Sequence, residues 1–290
     1  MSVAPAPHVQ GAPEEVPLPD GRRLHAMVLD GPRRDGPTVV FEAGAGAGRS
    51  SWGLVQPAVA PHARAVVYDR SGLGRSAPDP AGRTLDRMAG DLGALLDHFG
   101  PGPYVLVGHS AGGPLVRLAA ARDPGRVAGL VLVDPTDEAA DVLFGRGFRR
   151  MERTALRLGL ALAALGLLRP LFRGRLALLP EDARHDMARE GFTPGVLRTQ
   201  RRQARTYLDE LAAWRDTPPD TGDIPITVVS GGLPGDGMNT AVRAAANASH
   251  AHRAGLAPGG RHVVAARSGH YVPLTEPETV VREILALLPD

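Results

Sequence analysis

Six short apolar runs limit what this chain can fold into. Thr38–Glu42, Ala65–Tyr68, Tyr104–Val107, Leu130–Val133, Ile226–Val229 and His262–Ala265 are each four or five residues long and rich in β-branched side chains. Such runs fit strands buried on both faces of a sheet. Helical periodicity fills the gaps. Leu85–Phe99 places Leu85, Met88, Leu92, Leu95, Leu96 and Phe99 on one face, and Leu115–Ala121 and Pro277–Leu288 are two further helices. Strands alternating with helices predict an α/β, doubly wound, mostly parallel sheet with right-handed crossovers. Ahead of them, Asp20-Gly21 within Glu15–Leu29 reads as a hairpin.

The alternation stops between Thr136 and Thr221, where only helical patterns occur: Arg149–Leu168, Glu181–Glu190 and Thr193–Arg215. That block is too long for an unstructured loop and predicts a helical insertion over one end of the sheet. The expected organisation is a flexible Pro/Ala-rich arm over 1–14, a core made of 15–135 and 222–290, and a helical unit over 136–221. Ala155–Leu168 is interrupted by Arg157 and is shorter than the ~20 apolar residues of a membrane span. The first fifteen residues hold no apolar signal core, so a cytoplasmic location is expected. The 33 basic residues are all arginine and face 31 acidic ones, a net charge of +2 that gives no electrostatic case for nucleic acid. With no cysteine, disulfides, a thiolate zinc site and a cysteine nucleophile are excluded.

Gly108-His109-Ser110-Ala111-Gly112-Gly113 directly follows one strand run and precedes a helix. A G-x-S-x-G segment in that setting holds its serine on a tight turn with Oγ projecting from the sheet edge, and the following helix aims N–H groups at developing negative charge. Ala43-Gly44-Ala45-Gly46-Ala47-Gly48 ends the first of the six runs. It lacks the spacing of a phosphate loop. It suits an oxyanion hole, with Ala45 and Ala111 as the backbone donors. Ser268-Gly269-His270-Tyr271 follows the last run, and His270 is the candidate base for Ser110. His109 competes, but it lies beside the nucleophile with its side chain expected to point away from Oγ. His250 and His252 are two apart and do not share a helix face, so no metal site is expected.

These residues resemble the α/β-hydrolase fold superfamily over about Glu15 to Leu288. The resemblance is carried by GHSAGG, by Asp69-Arg70-Ser71-Gly72-Leu73-Gly74-Arg75-Ser76 and by Ser268-Gly269-His270-Tyr271-Val272-Pro273. It implies an eight-stranded, mostly parallel sheet, a cap after strand six, and a structural role for the Asp69–Ser76 segment in the site floor. Many relatives carry His-Gly where this chain has Ala43-Gly44, so the loop is expected to be held differently. The acid that orients His270 has two candidates. Asp134 ends the run Leu130–Val133 on a rigid strand. Asp236 lies in a Gly/Pro-rich loop after Ile226–Val229, where the superfamily more often takes its acid.

A serine at the turn disfavours the aspartate-dependent dehalogenase and epoxide hydrolase chemistries of this fold and favours acyl transfer. The expected function is hydrolysis of a carboxylic ester, lactone or thioester, with no cofactor and no metal. A lyase or cyclase using the same site, and a catalytically silent ligand-binding protein, are the alternatives. The Leu/Ala-rich stretches Ala161–Leu168 and Leu176–Leu179 suit either a pocket for a lipophilic small-molecule substrate or the insertion's own core.

Overall fold

A computed structural model describes residues 7–33 and 36–289. Eight strands form one sheet: β1 (Ala12–Pro17), β2 (Arg23–Leu29), β3 (Thr38–Glu42), β4 (Arg64–Tyr68), β5 (Tyr104–His109), β6 (Val127–Val133), β7 (Ile226–Gly231) and β8 (Arg261–Ala265). Their order is β1-β2-β4-β3-β5-β6-β7-β8. β1 and β2 pair antiparallel, as do β2 and β4, and every later pair is parallel. The six apolar runs are the six parallel strands. The inner strands lack alternation because both faces are covered: Val40, Val66, Leu106 and Leu130 face one apolar core, and Val39, Phe41, Val107 and Val131 face the other, while the edge strand β8 leaves Val264 exposed.

Helices α1 (Gln56–Val59), α2 (Leu85–Phe99) and α3 (Gly112–Arg122) flank the first part of the sheet. α2 has the bounds its periodicity predicts. The Thr84 side chain accepts the Arg87 N–H at its start, and Gly100, with φ 111°, ends it. Between β6 and β7 the ordered elements are helical: α4 (Arg146–Ala164), α5 (Leu168–Leu171), α6 (Arg173–Leu176), α7 (Glu181–Glu190), α8 (Pro194–Gln203) and α9 (Tyr207–Ala213), with one 3-10 turn at Asp141–Phe144. After β7 come α10 (Thr240–Gly255), α11 (Val272–Thr275) and α12 (Pro277–Leu285).

Three expectations change. The arm expected over 1–14 does not reach residue 14, because residues 12–14 open β1 and Gln10 is fully buried with its Nε2 on the Arg49 carbonyl at 3.0 Å; residues 1–6 lie outside the described residues. The helix expected over Arg149–Leu168 ends at Ala164, since Gly166 takes φ 71°. The helix expected over Thr193–Arg215 is two helices. Val196 and Leu197 of α8 pack with Leu156 and Ala163, whereas Tyr207, Leu208 and Leu211 of α9 pack with Leu85, Met88 and Leu115. One straight helix cannot serve both clusters.

A buried ion network ties this helical region to the sheet. Arg49, fully buried just beyond β3, donates to Asp69 at 2.5 Å and to Glu190 at 2.6 Å, and it also pairs with Asp186 on α7. Burial alone pushes the Asp69 carboxyl up, and Arg49 opposes that shift. Removing one partner of such a pair strands a buried charge, at a cost of about 3–5 kcal/mol. Arg49→Met is therefore expected to lower the unfolding free energy by about that amount, read from the denaturant midpoint at unchanged m-value.

Candidate active site

The strand order reverses direction at β3: the chain passes from β3 to β4 on one side and later from β5 to β6 on the other. Ligands bind open α/β sheets at such a point, beyond the carboxyl ends of the strands. Glu42 is level with Gly108, and His109 with Val133, so the residues after β3, β5 and β6 emerge along one edge.

Ser110 follows β5 with φ 52°, a region that costs a non-glycine residue about 1–2 kcal/mol. Its N–H donates to the Val133 carbonyl at 3.0 Å, and its own carbonyl accepts from Gly113 and Thr136, each at 3.0 Å. The flanking glycines are sterically required. A Cβ on Gly108 would lie 2.7 Å from the Gly112 carbonyl oxygen, and one on Gly112 would lie 2.6 Å from that of Glu42. α3 thus begins pressed against both β5 and the end of β3.

The structure brings three of the candidate side chains into one line. His270 Nε2 is 3.0 Å from Ser110 Oγ, and His270 Nδ1 is 2.6 Å from Asp134 Oδ2. The other oxygen of Asp134 accepts the Gly231 N–H at 2.9 Å and Arg243 Nη1 at 2.5 Å. Burial pushes the Asp134 carboxyl up, but the hydrogen bond and charge of His270, with Arg243, outweigh it and hold the group well below the usual carboxylate range. An ionised carboxylate can only accept. Nδ1 of His270 therefore carries a proton, and in the neutral ring Nε2 accepts from the Ser110 hydroxyl. The arrangement can move the Ser110 proton onto the ring and stabilise the resulting imidazolium.

Asp236 is placed differently. Its carboxylate accepts the backbone N–H of His270 at 3.2 Å and pairs with Arg175. It touches the main chain of His270 and not the ring nitrogens. His109 also meets His270, its Nε2–H donating to the His270 carbonyl at 2.9 Å, and the two rings lie 4.9 Å apart. Arg243 and Gly231 carry no local sequence signal, because each reaches the site from an element distant in the chain, whereas His109 lies in the Ser110 motif itself and serves the His270 backbone.

On the other side of Ser110, Ala111 caps the N-terminus of α3 and Ala45 sits in the turn after β3. Among the described residues no hydrogen bond occupies the N–H of either. Gly46, with φ 67°, supplies the positive φ that lets the Ala47 N–H reach the Gly44 carbonyl at 3.2 Å. A cavity of about 330 Å³ opens beside this turn, lined by Ala45 and His109 and walled by Leu156, Phe172, Leu197 and Tyr271. Among the described residues no group of three or more His, Cys, Asp or Glu is placed to hold a metal ion, and no helix is long and apolar enough to cross a membrane.

Burial, followed by the charge of His270, pushes His109 down to about 3, against an ordinary value of about 6.5. The unfolded ring gains a proton as pH falls through about 6.5, while the folded ring stays neutral until about 3. Stability therefore falls with pH across that interval. His109→Gln is expected to flatten the fall, measured as the difference between urea midpoints at pH 7 and pH 4.5.

The sequence profile described as "alpha/beta hydrolase fold" matches residues 37–277. An esterase of Mycobacterium tuberculosis is 29% identical over 292 residues, with 94% of this chain and 90% of that protein covered. The chain spans less than half the length of several curated relatives, among them an uncharacterised Bacillus subtilis protein at 33% identity, with 40% of this chain and 46% of that protein covered. The structure of the epoxide hydrolase CorEH superposes with a TM-score of 0.74 at 21% identity, covering 95% of this chain and 98% of that one, a likeness of fold alone. From the matched profile, the sheet order and the turn at Ser110 together, the chain belongs to the α/β-hydrolase fold family.

Proposed function

We propose that this protein is a serine hydrolase that cleaves a carboxylic ester, lactone or thioester. The observation that carries the reading is the hydrogen-bonded line from Ser110 Oγ through the His270 ring to Asp134. Ser110 Oγ attacks the acyl carbon while its proton passes to His270 Nε2, and Asp134 stabilises the imidazolium. The carbonyl oxygen becomes an oxyanion against the N–H groups of Ala45 and Ala111. Collapse breaks the bond to the leaving oxygen or sulfur, which takes the proton back from His270. A water molecule, deprotonated by the same ring, then releases the acid and restores Ser110.

Residues 136–221 are read as a cap over this site. Leu156 of α4 and Leu197 of α8 wall the cavity, which supports a small substrate with an apolar acyl or alkyl group. The name of the M. tuberculosis relative agrees with ester chemistry. This chemistry calls for no cofactor.

A fluorophosphonate probe followed by intact mass measurement tests the reading. One adduct is expected on wild type and none on Ser110→Ala or His270→Ala; folded wild type without an adduct overturns it. In an ester assay Asp134→Asn is expected to lower kcat by about 10⁴-fold, since the wrong His270 tautomer is then favoured. Asp236→Asn is expected to keep most of the wild-type kcat.

A further inference from the structure

Arg70 belongs to the Asp69–Ser76 segment that sequence resemblance assigns to the floor of the site. It is 4% exposed, and its guanidinium has an unusual set of partners. Nη1 donates to the Ala43 carbonyl at 2.5 Å and also meets the Glu42 carboxylate. Nη2 donates to the Gly44 carbonyl at 2.6 Å. Glu42 is held in turn by the Tyr68 hydroxyl. Neutralising Glu42 needs one of these contacts. The other two go to consecutive peptide carbonyls in the turn that carries Ala45.

A trans peptide is planar, and its C=O and N–H point in opposite directions. Gripping the Ala43 and Gly44 carbonyls therefore turns the N–H groups of Gly44 and Ala45 away from Arg70. The turn itself is pressed on the nucleophile: a Cβ on Gly44 would lie 3.3 Å from Ser110 Cβ and 3.1 Å from His109 Nδ1. The bond to Gly44 O has a second effect. A carbonyl that accepts a hydrogen bond from a cation polarises its own amide, and the N–H across that peptide becomes a stronger donor. The N–H across the Gly44 carbonyl is that of Ala45.

We propose that Arg70 is a positioning residue for oxyanion stabilisation: by holding the Ala43 and Gly44 carbonyls it sets the direction of the Ala45 N–H and strengthens it as a donor. This role rests on the serine-hydrolase reading. Arg70 performs the bracing in a loop whose Ala43-Gly44 pair offers no polar side chain of its own to hold it. Arginine suits the task because a planar fork reaches two carbonyls and a carboxylate at once, which a single ammonium cannot match in the same geometry.

The test compares wild type, Arg70→Gln, Arg70→Lys and Ser110→Ala in one ester assay, with active sites counted by fluorophosphonate titration and folding checked by near-UV circular dichroism. For Arg70→Gln, kcat per titrated serine is expected to fall about 10²-fold, the loss typical of one oxyanion donor, with KM changed by less than about twofold. Arg70→Lys is expected to fall between it and wild type, and it carries the test if the glutamine variant does not fold. A purely structural role would lower the melting temperature and the titratable fraction while leaving kcat per titrated serine unchanged, and that result overturns the proposal. If Ser110→Ala is inactive while both Arg70 variants keep kcat per site, only the role of Arg70 falls. If Ser110→Ala turns over like wild type, the serine-hydrolase reading falls and the role of Arg70 falls with it.

Discussion

The left-handed backbone of Ser110 is the constraint on which the geometry around it depends. A serine at φ 52° persists only where its neighbours hold it there, and here they do so through the register of the sheet. Because β5 and β6 pair up to His109 and Val133, the Ser110 N–H finds the Val133 carbonyl. The device repeats one strand further on: Asp134 leaves β6 at φ 41° with its N–H on the Val229 carbonyl of β7. Gly232, leaving β7, donates to the Ala265 carbonyl of β8. Each strand end is thus fastened to the next, and the side chains that leave those ends inherit their positions from rigid elements rather than from loops.

The surroundings within this frame set the charge states of Asp134 and His109 in opposite ways. Asp134 is buried, and three donors face it: Gly231 N–H, Arg243 and the His270 ring. A buried carboxylate with that many partners stays ionised, which fixes the tautomer of His270. His109 occupies the opposite regime. Burial keeps it neutral, and it spends its Nε2–H on the His270 carbonyl. Two adjacent histidines therefore divide their tasks by environment: one ring faces a carboxylate and a hydroxyl, and the other anchors the first one's backbone.

The sequence displays the sheet clearly because strands buried on both faces must be apolar throughout, and the turn at Ser110 because its glycines have no steric substitute. It leaves the choice between Asp134 and Asp236 open for a physical reason. Both lie just beyond strands that end at the same edge, so both can approach His270. Which part of His270 each one meets depends on how the Gly/Pro-rich loop folds back, and there Leu233 N–H on the Ser268 carbonyl and the paired Gly235 and Met238 bring Asp236 to the His270 main chain. The break between α8 and α9 is hidden as well. Residues 204–206 contain neither glycine nor proline, and the break exists because α9 turns its apolar face to Leu85, Met88 and Leu115 of α2 and α3 while α8 packs on Leu156 and Ala163 of α4. Arg70 looks locally like one residue of a glycine-rich turn; its meaning lies in two carbonyls 26 and 27 residues earlier in the chain.

The helices between β6 and β7 are joined to the sheet by two kinds of force that do different work. Tyr207, Leu208 and Leu211 of α9 bury apolar surface against Leu85, Met88 and Leu115, which supplies attachment without direction. α7 is aligned by the buried Arg49 network, which supplies direction and is costly to break. At the His270 side the contact is of a third kind. Arg175 lies 4.1 Å above the Tyr271 ring and pairs with Asp236, its side chain 32% exposed. Pairs that open to water are worth about 0–1 kcal/mol. The insertion is thus anchored firmly along α9 and α7 and held least at the rim formed by Arg175, Phe172 and Tyr271. That rim borders the apolar cavity, and Tyr271 within it is the chain neighbour of the residue that faces Ser110.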